Sequence, residues 1–131
     1  MIVGTEWLIE ASGCEAERLR DPERLSMLFQ SVIAELDLQV VGAPRWHQFP
    51  GPGGITGFVL LSESHLACHT YPEYGFVTID LYCCRERPEW RWEQGLREML
   101  GATKVSVRAI ERAFKESDLT TGISDLAVIT A

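Results

Sequence analysis

The chain has 131 residues, 46% of them hydrophobic and 24% charged, enough apolar mass for one compact domain with a real core. Its formal net charge of −7 argues against a nucleic-acid partner, whose phosphates demand clustered Lys and Arg, and is compatible with a cationic small substrate. No apolar run reaches the roughly 18 residues of a membrane helix, and Met1–Trp7 has no basic n-region of a signal peptide. No membrane partner is therefore expected, and the cytoplasm is the expected location.

Taken in order, residues 3–11 alternate apolar and polar and predict a first strand. Asp21-Pro22 predicts a helix start, an N-cap followed by proline at the first helical position. Leu25, Leu28, Phe29, Val32 and Leu36 then recur at helical spacing. A strand is expected over 38–48. Phe49-Pro50-Gly51-Pro52-Gly53-Gly54 must be a loop, because proline and glycine punctuate it so densely. Strands are predicted over 55–62, 65–71 and 76–84, with Pro72-Glu73-Tyr74-Gly75 as the turn between the last two. A second helix is expected over 89–100, stopped by Gly101, then a strand over 103–110. The last dozen residues read as a tail.

This order implies a single α+β domain over 1–131. The economical arrangement is a two-layer sandwich, a largely antiparallel sheet with two helices on one face. If 72–75 is a four-residue loop, residue 71 lies opposite 76 and Ser64 opposite Cys83. One face of the hairpin then carries Leu66, Cys68, Thr70, Val77, Ile79, Leu81 and Cys83, and should meet the helices. The other carries His65, Ala67, His69, Tyr71, Phe76, Thr78, Asp80, Tyr82 and Cys84. That face is too polar for a plain core and too aromatic for a plain surface.

The four cysteines, Cys14, Cys68, Cys83 and Cys84, form no C-x-x-C pair and read as free thiols in a reducing compartment. Cys14, Cys68 and Cys83 read as structural. His65 and His69 are four apart, as in a zinc helix, but lie in a strand with no Glu after His65; no metal is expected. The hairpin brings Ser64 near Cys83 and Cys84, and a hydroxyl, an imidazole and a thiol are expected to converge on one end of the sheet. Such a set suits nucleophilic or acid–base chemistry without saying which. Taken singly, each has a plain structural reading: a turn serine, a satisfied histidine, a small buried thiol.

The segment Leu61-Ser62-Glu63-Ser64-His65-Leu66-Ala67-Cys68-His69-Thr70-Tyr71-Pro72-Glu73-Tyr74-Gly75 closely resembles the core of the short prokaryotic S-adenosylmethionine decarboxylase proenzymes. Ile79-Asp80-Leu81-Tyr82-Cys83-Cys84 continues the likeness, as do Trp46-His47-Gln48-Phe49 and Gly54-Ile55-Thr56-Gly57 upstream. The resemblance implies self-cleavage between Glu63 and Ser64 into chains 1–63 and 64–131. Ser64 becomes a pyruvoyl group, a covalent cofactor that replaces pyridoxal phosphate and forms a Schiff base with the substrate amine. It implies that His69 and Thr56 assist processing, Thr56 standing at a serine of the family, and that Cys84 is the catalytic proton donor. Phe49 and Tyr71 match aromatics that stack on adenine, and Glu73 matches an acid that contacts the substrate. It also implies a homodimer with its sites near the interface, and a product that feeds polyamine (spermidine) synthesis.

Two departures from the family pattern fall on substrate binding. Tyr71 replaces a tryptophan, and the 49–57 loop is richer in glycine and proline and one residue longer. Two other functions remain open: a pyruvoyl-dependent arginine or ornithine decarboxylase on the same scaffold, and an uncleaved paralogue that binds or regulates an active partner.

Overall fold

The computed structural model describes residues 1–120, so most of the expected tail lies outside the described residues. Six strands form one sheet: β1 (Ile2–Ser12), β2 (Arg45–Gln48), β3 (Ile55–Leu61), β4 (Ser64–Tyr71), β5 (Phe76–Cys83) and β6 (Lys104–Ala113). Their order is β2-β3-β4-β5-β1-β6, and every pairing is antiparallel. Three helices, α1 (Ala16–Leu19), α2 (Pro22–Glu35) and α3 (Trp92–Leu100), accompany it. The architecture is the expected α+β sandwich, with one helix more than the sequence pattern implies. The extra element, α1, is a single turn that hides Leu19 in the core, too short for any periodicity to register.

α2 starts where Asp21-Pro22 predicts, and the Glu23 amide donates to the Asp21 side chain at 3.0 Å. Its buried stripe is Leu25, Leu28, Phe29 and Val32. α3 begins at Trp92 rather than at 89. Trp90 instead leaves the helix path, packs its ring on Gly95 and meets Trp92 edge-on with ring centroids 4.9 Å apart. The strand expected over 38–48 is also shorter. Only Arg45–Gln48 pairs along β3, and Val40 makes one isolated bridge to Leu61. Gly42, at φ +75°, and Pro44 interrupt the ladder between them.

The hairpin register is the predicted one, Tyr71 opposite Phe76 and Ser64 opposite Cys83. Gly75 makes the return possible, with φ +62° at the end of a single 3-10 turn, Pro72–Tyr74. Leu66, Cys68, Val77, Ile79, Leu81 and Cys83 are buried in the core with Ile9, Ala11 and the helix stripe. Burial pushes the Cys68 thiol up to about 12 and Cys14 up to about 11, so both stay protonated and inert at neutral pH.

Thr70 is the one buried polar residue of this core among the described residues. Its hydroxyl donates to the Leu19 carbonyl at 2.7 Å and accepts from the Ile55 amide at 2.9 Å, tying α1, β3 and β4 at one point. Among the described residues no helix lies over the opposite face of the sheet. That face carries Phe58, Leu60, Tyr71 and Ile110, all exposed, a His65–Tyr82 stack, and the ion pairs Arg112–Glu6 and Arg108–Glu10.

Candidate active site

Ser64 opens β4, directly after the two-residue turn that joins it to β3. Strand alternation turns its hydroxyl to the helix side, where Oγ lies 3.8 Å from Cys83 Sγ. Cys84, one residue on, is exposed. Its backbone amide donates to the Glu63 carbonyl at 2.9 Å, so a donor already holds the carbonyl of the Glu63–Ser64 bond. Ser62, Glu63, Ser64, Cys83, Cys84, Arg85 and Arg87 line a cleft there of only about 20 Å³, room for about one water. Burial raises the Cys83 thiol, while its contact with Ser64 and the Arg87 charge pull it partly back.

The other expected residues gather at the opposite end of β4. Thr56 lies across from His69 in the β3–β4 ladder, and Thr56 Oγ1 is 3.1 Å from His69 Nδ1. These two, with Phe49, Tyr71 and Glu73, line an open groove of about 530 Å³. The Phe49 wall is set by its surroundings. Gln48 donates through its side-chain amide to the Arg20 and Gly53 carbonyls at 2.8 and 3.1 Å, and the Phe49 amide bonds the Gly54 carbonyl at 2.9 Å. Trp46 lies so close over Gly57 that a Cβ there would sit 2.3 Å from its ring, and it packs on Phe29 of α2. That contact fixes β2, and with it the start of the loop.

The expected convergence of hydroxyl, imidazole and thiol on one end is therefore only partial within one chain. Ser64 and Cys84 share an end, but His69 is five residues further along β4, about 17 Å at the rise of a strand. Glu63, Ser64 and Cys84 form one cluster; Thr56, His69, Phe49, Tyr71 and Glu73 form another. Sequence reasoning passed over Cys83, Arg85, Arg87 and the Cys84 amide. The signal for Cys83 was present, since the register places it opposite Ser64.

Among the described residues no three His, Cys, Asp or Glu side chains converge as a metal site would need, and no helix is long and apolar enough to cross a membrane. The fold and its clusters define a class: a small α+β enzyme scaffold that carries a serine beside two thiols and, apart from it, an aromatic groove.

Comparison with known proteins makes the class specific. The family model for S-adenosylmethionine decarboxylase matches residues 5–113. The chain is similar to the S-adenosylmethionine decarboxylase proenzyme of Pyrococcus furiosus, 32% identical over 90% of this chain and 84% of that protein. It is also similar to that of Picrophilus torridus, 35% identical over 84% of each. The crystal structure of the adenosylmethionine decarboxylase from Aquifex aeolicus superposes with a TM-score of 0.74 at 26% identity, over 92% of this chain and 98% of that one. The chain belongs to the S-adenosylmethionine decarboxylase family, a family of carboxy-lyases.

Proposed function

We propose that the chain cuts itself between Glu63 and Ser64, turns Ser64 into a pyruvoyl group, and decarboxylates S-adenosylmethionine to the aminopropyl donor of polyamine synthesis in the cytoplasm. The observation that carries this reading is the Cys84 amide on the Glu63 carbonyl, 2.9 Å away, beside the Ser64 hydroxyl. That amide is placed to stabilise the oxygen as negative charge builds on it during attack by Ser64 Oγ. The C–N bond then breaks, the Ser64 nitrogen leaves as an amine, and Glu63 is held as an ester. Loss of the Ser64 α-proton breaks the Cβ–Oγ bond and frees the Glu63 carboxylate. The dehydroalanine left behind takes up water and loses ammonia, giving a ketone at the head of chain 64–131. The cleft has room for about one water, the reagent that this last step consumes.

When formed, the pyruvoyl ketone supplies the electron sink for loss of CO₂. The chain's own residues do the rest. Cys84, exposed beside Ser64, returns a proton to the substrate carbon. Phe49 and Tyr71 provide faces for a planar base and for the sulfonium cation, and Glu73 provides a negative charge in the same groove.

The separation of the two clusters supports a homodimer. Reacting groups must approach to about 3 Å, so a Ser64 end and a His69 end about 17 Å apart on one strand do not serve one centre. An isologous dimer through the uncovered aromatic face would lay the Ser64 end of one protomer over the Thr56–His69 groove of its partner. Such a site predicts complementation between inactive proteins. A Cys84→Ala protein mixed with a Phe49→Ala/Tyr71→Ala protein, both already processed, should regain about a quarter of wild-type activity after subunit exchange. Half of the dimers are then mixed, each with one whole site. No regain, with exchange verified by native mass spectrometry, rules out a shared site.

A panel of S-adenosylmethionine, arginine and ornithine tests the substrate. CO₂ release from S-adenosylmethionine alone is expected. Release from arginine or ornithine alone would make the protein an amino-acid decarboxylase on the same scaffold.

A further inference from the structure

Arg87 lies just past the end of β5, half-buried in the cleft lined by Glu63, Ser64, Cys83 and Cys84. Its neighbour Arg85 is occupied, ion-paired with the Glu63 side chain. Among the described residues Arg87 has no carboxylate within ion-pair distance, although Glu86 and Glu89 stand close in sequence. Its guanidinium therefore has no carboxylate to give up among the described residues, and it can take an anion that appears in the cleft it lines. The Arg87 charge is felt there, because it pulls down the raised Cys83 thiol, whose sulfur is 3.8 Å from Ser64 Oγ.

Self-cleavage creates such an anion at one step. In the proenzyme the Glu63 main-chain carbonyl is neutral, and it remains neutral in the Ser64 ester. When the α-proton is removed and the Cβ–Oγ bond breaks, the bonding pair moves onto Oγ, which departs as part of the new Glu63 α-carboxylate. Full charge therefore develops on that group during elimination, and a preplaced cation acts on that transition state more than on the ground state.

We propose, resting on the self-cleavage reading, that Arg87 receives the Glu63 α-carboxylate as it is expelled from the Ser64 ester, while Arg85 holds the Glu63 side chain. Arg87 thus serves the elimination step and leaves the preceding acyl shift to Ser64 and the Cys84 amide. Losing one such charge-stabilising donor slows a step by about 10²-fold.

The test follows freshly purified wild-type, Arg87→Gln and Arg87→Lys proteins by intact mass with and without added hydroxylamine. Hydroxylamine splits an ester and spares a peptide bond. Wild type should yield a 64–131 chain that begins with pyruvoyl and is blocked to Edman degradation. Arg87→Gln should persist at full-length mass yet be split by hydroxylamine, releasing a 64–131 chain with Ser64 as a readable first residue. Arg87→Lys should keep most of the wild-type rate. In an Arg87→Ala protein, added guanidinium ion should restore elimination, which a misfolded variant would not allow. Wild-type kinetics in Arg87→Gln overturn the proposal, as does a stalled protein with no hydroxylamine-sensitive bond or no response of Arg87→Ala to guanidinium. Failure of the wild-type protein to cleave would instead overturn the self-cleavage reading beneath it.

Discussion

A Ser64→Ala protein is expected to fold as the wild type does and to remain one chain of 131 residues. Only Oγ is lost, and with it one long contact to a thiol, 3.8 Å from Cys83 Sγ. Ser64 is half-buried at the first residue of a strand, so the stability change should stay within about 1 kcal/mol. The Glu63 carbonyl would still be held by the Cys84 amide, but the hydroxyl that attacks it would be gone. Processing should fall to nothing measurable, and all activity that depends on the ketone should vanish with it. Intact-mass measurement checks the first point and urea unfolding the second. A Ser64→Ala protein that still divides at 63–64 would mean that another group makes the cut.

Cys84→Ala separates the two roles proposed for one residue. The backbone amide that bonds Glu63 is unchanged by the substitution, so cleavage should proceed. The thiol is exposed, so stability should move by no more than about 0.5 kcal/mol. Turnover by the processed protein should fall by about 10² to 10⁴-fold, the usual contribution of a positioned acid or base. The loss should appear in kcat more than in KM, because the aromatic groove is untouched. Unchanged kcat would remove Cys84 as the proton donor. Cys83→Ala is a useful contrast, because Cys83 is buried in the core and its loss should register in stability.

The hairpin was legible in the sequence because its turn chemistry is strong. Pro72 and Gly75 open and close a four-residue loop, Gly75 takes the left-handed conformation, and alternation on both sides then fixes which side chains share a face. The start of α2 was legible for the same kind of reason, an N-cap and a proline acting within three residues. Boundaries set by tertiary packing were not. Trp90 is drawn out of α3 by its contact with Gly95, and α1 exists because Leu19 is buried, neither of which a local pattern carries.

For the candidate site, the resemblance named the residues and the expected convergence misjudged their grouping. Ser64 and His69 stand in one short motif, yet in an extended strand five residues are about 17 Å. Proximity in sequence implied proximity in space only for groups across the ladder, such as Thr56 with His69 or Ser64 with Cys83. The amide of Cys84 is invisible to any side-chain motif, and Arg87 lies past Cys84, where the motif that carries the resemblance ends.

Denaturing mass spectrometry of the purified wild-type protein tests the central claim most directly. The account predicts two species, chains 1–63 and 64–131, the second carrying pyruvoyl in place of Ser64 and closed to Edman degradation. A single intact chain of 131 residues that stays uncut on prolonged incubation would contradict it.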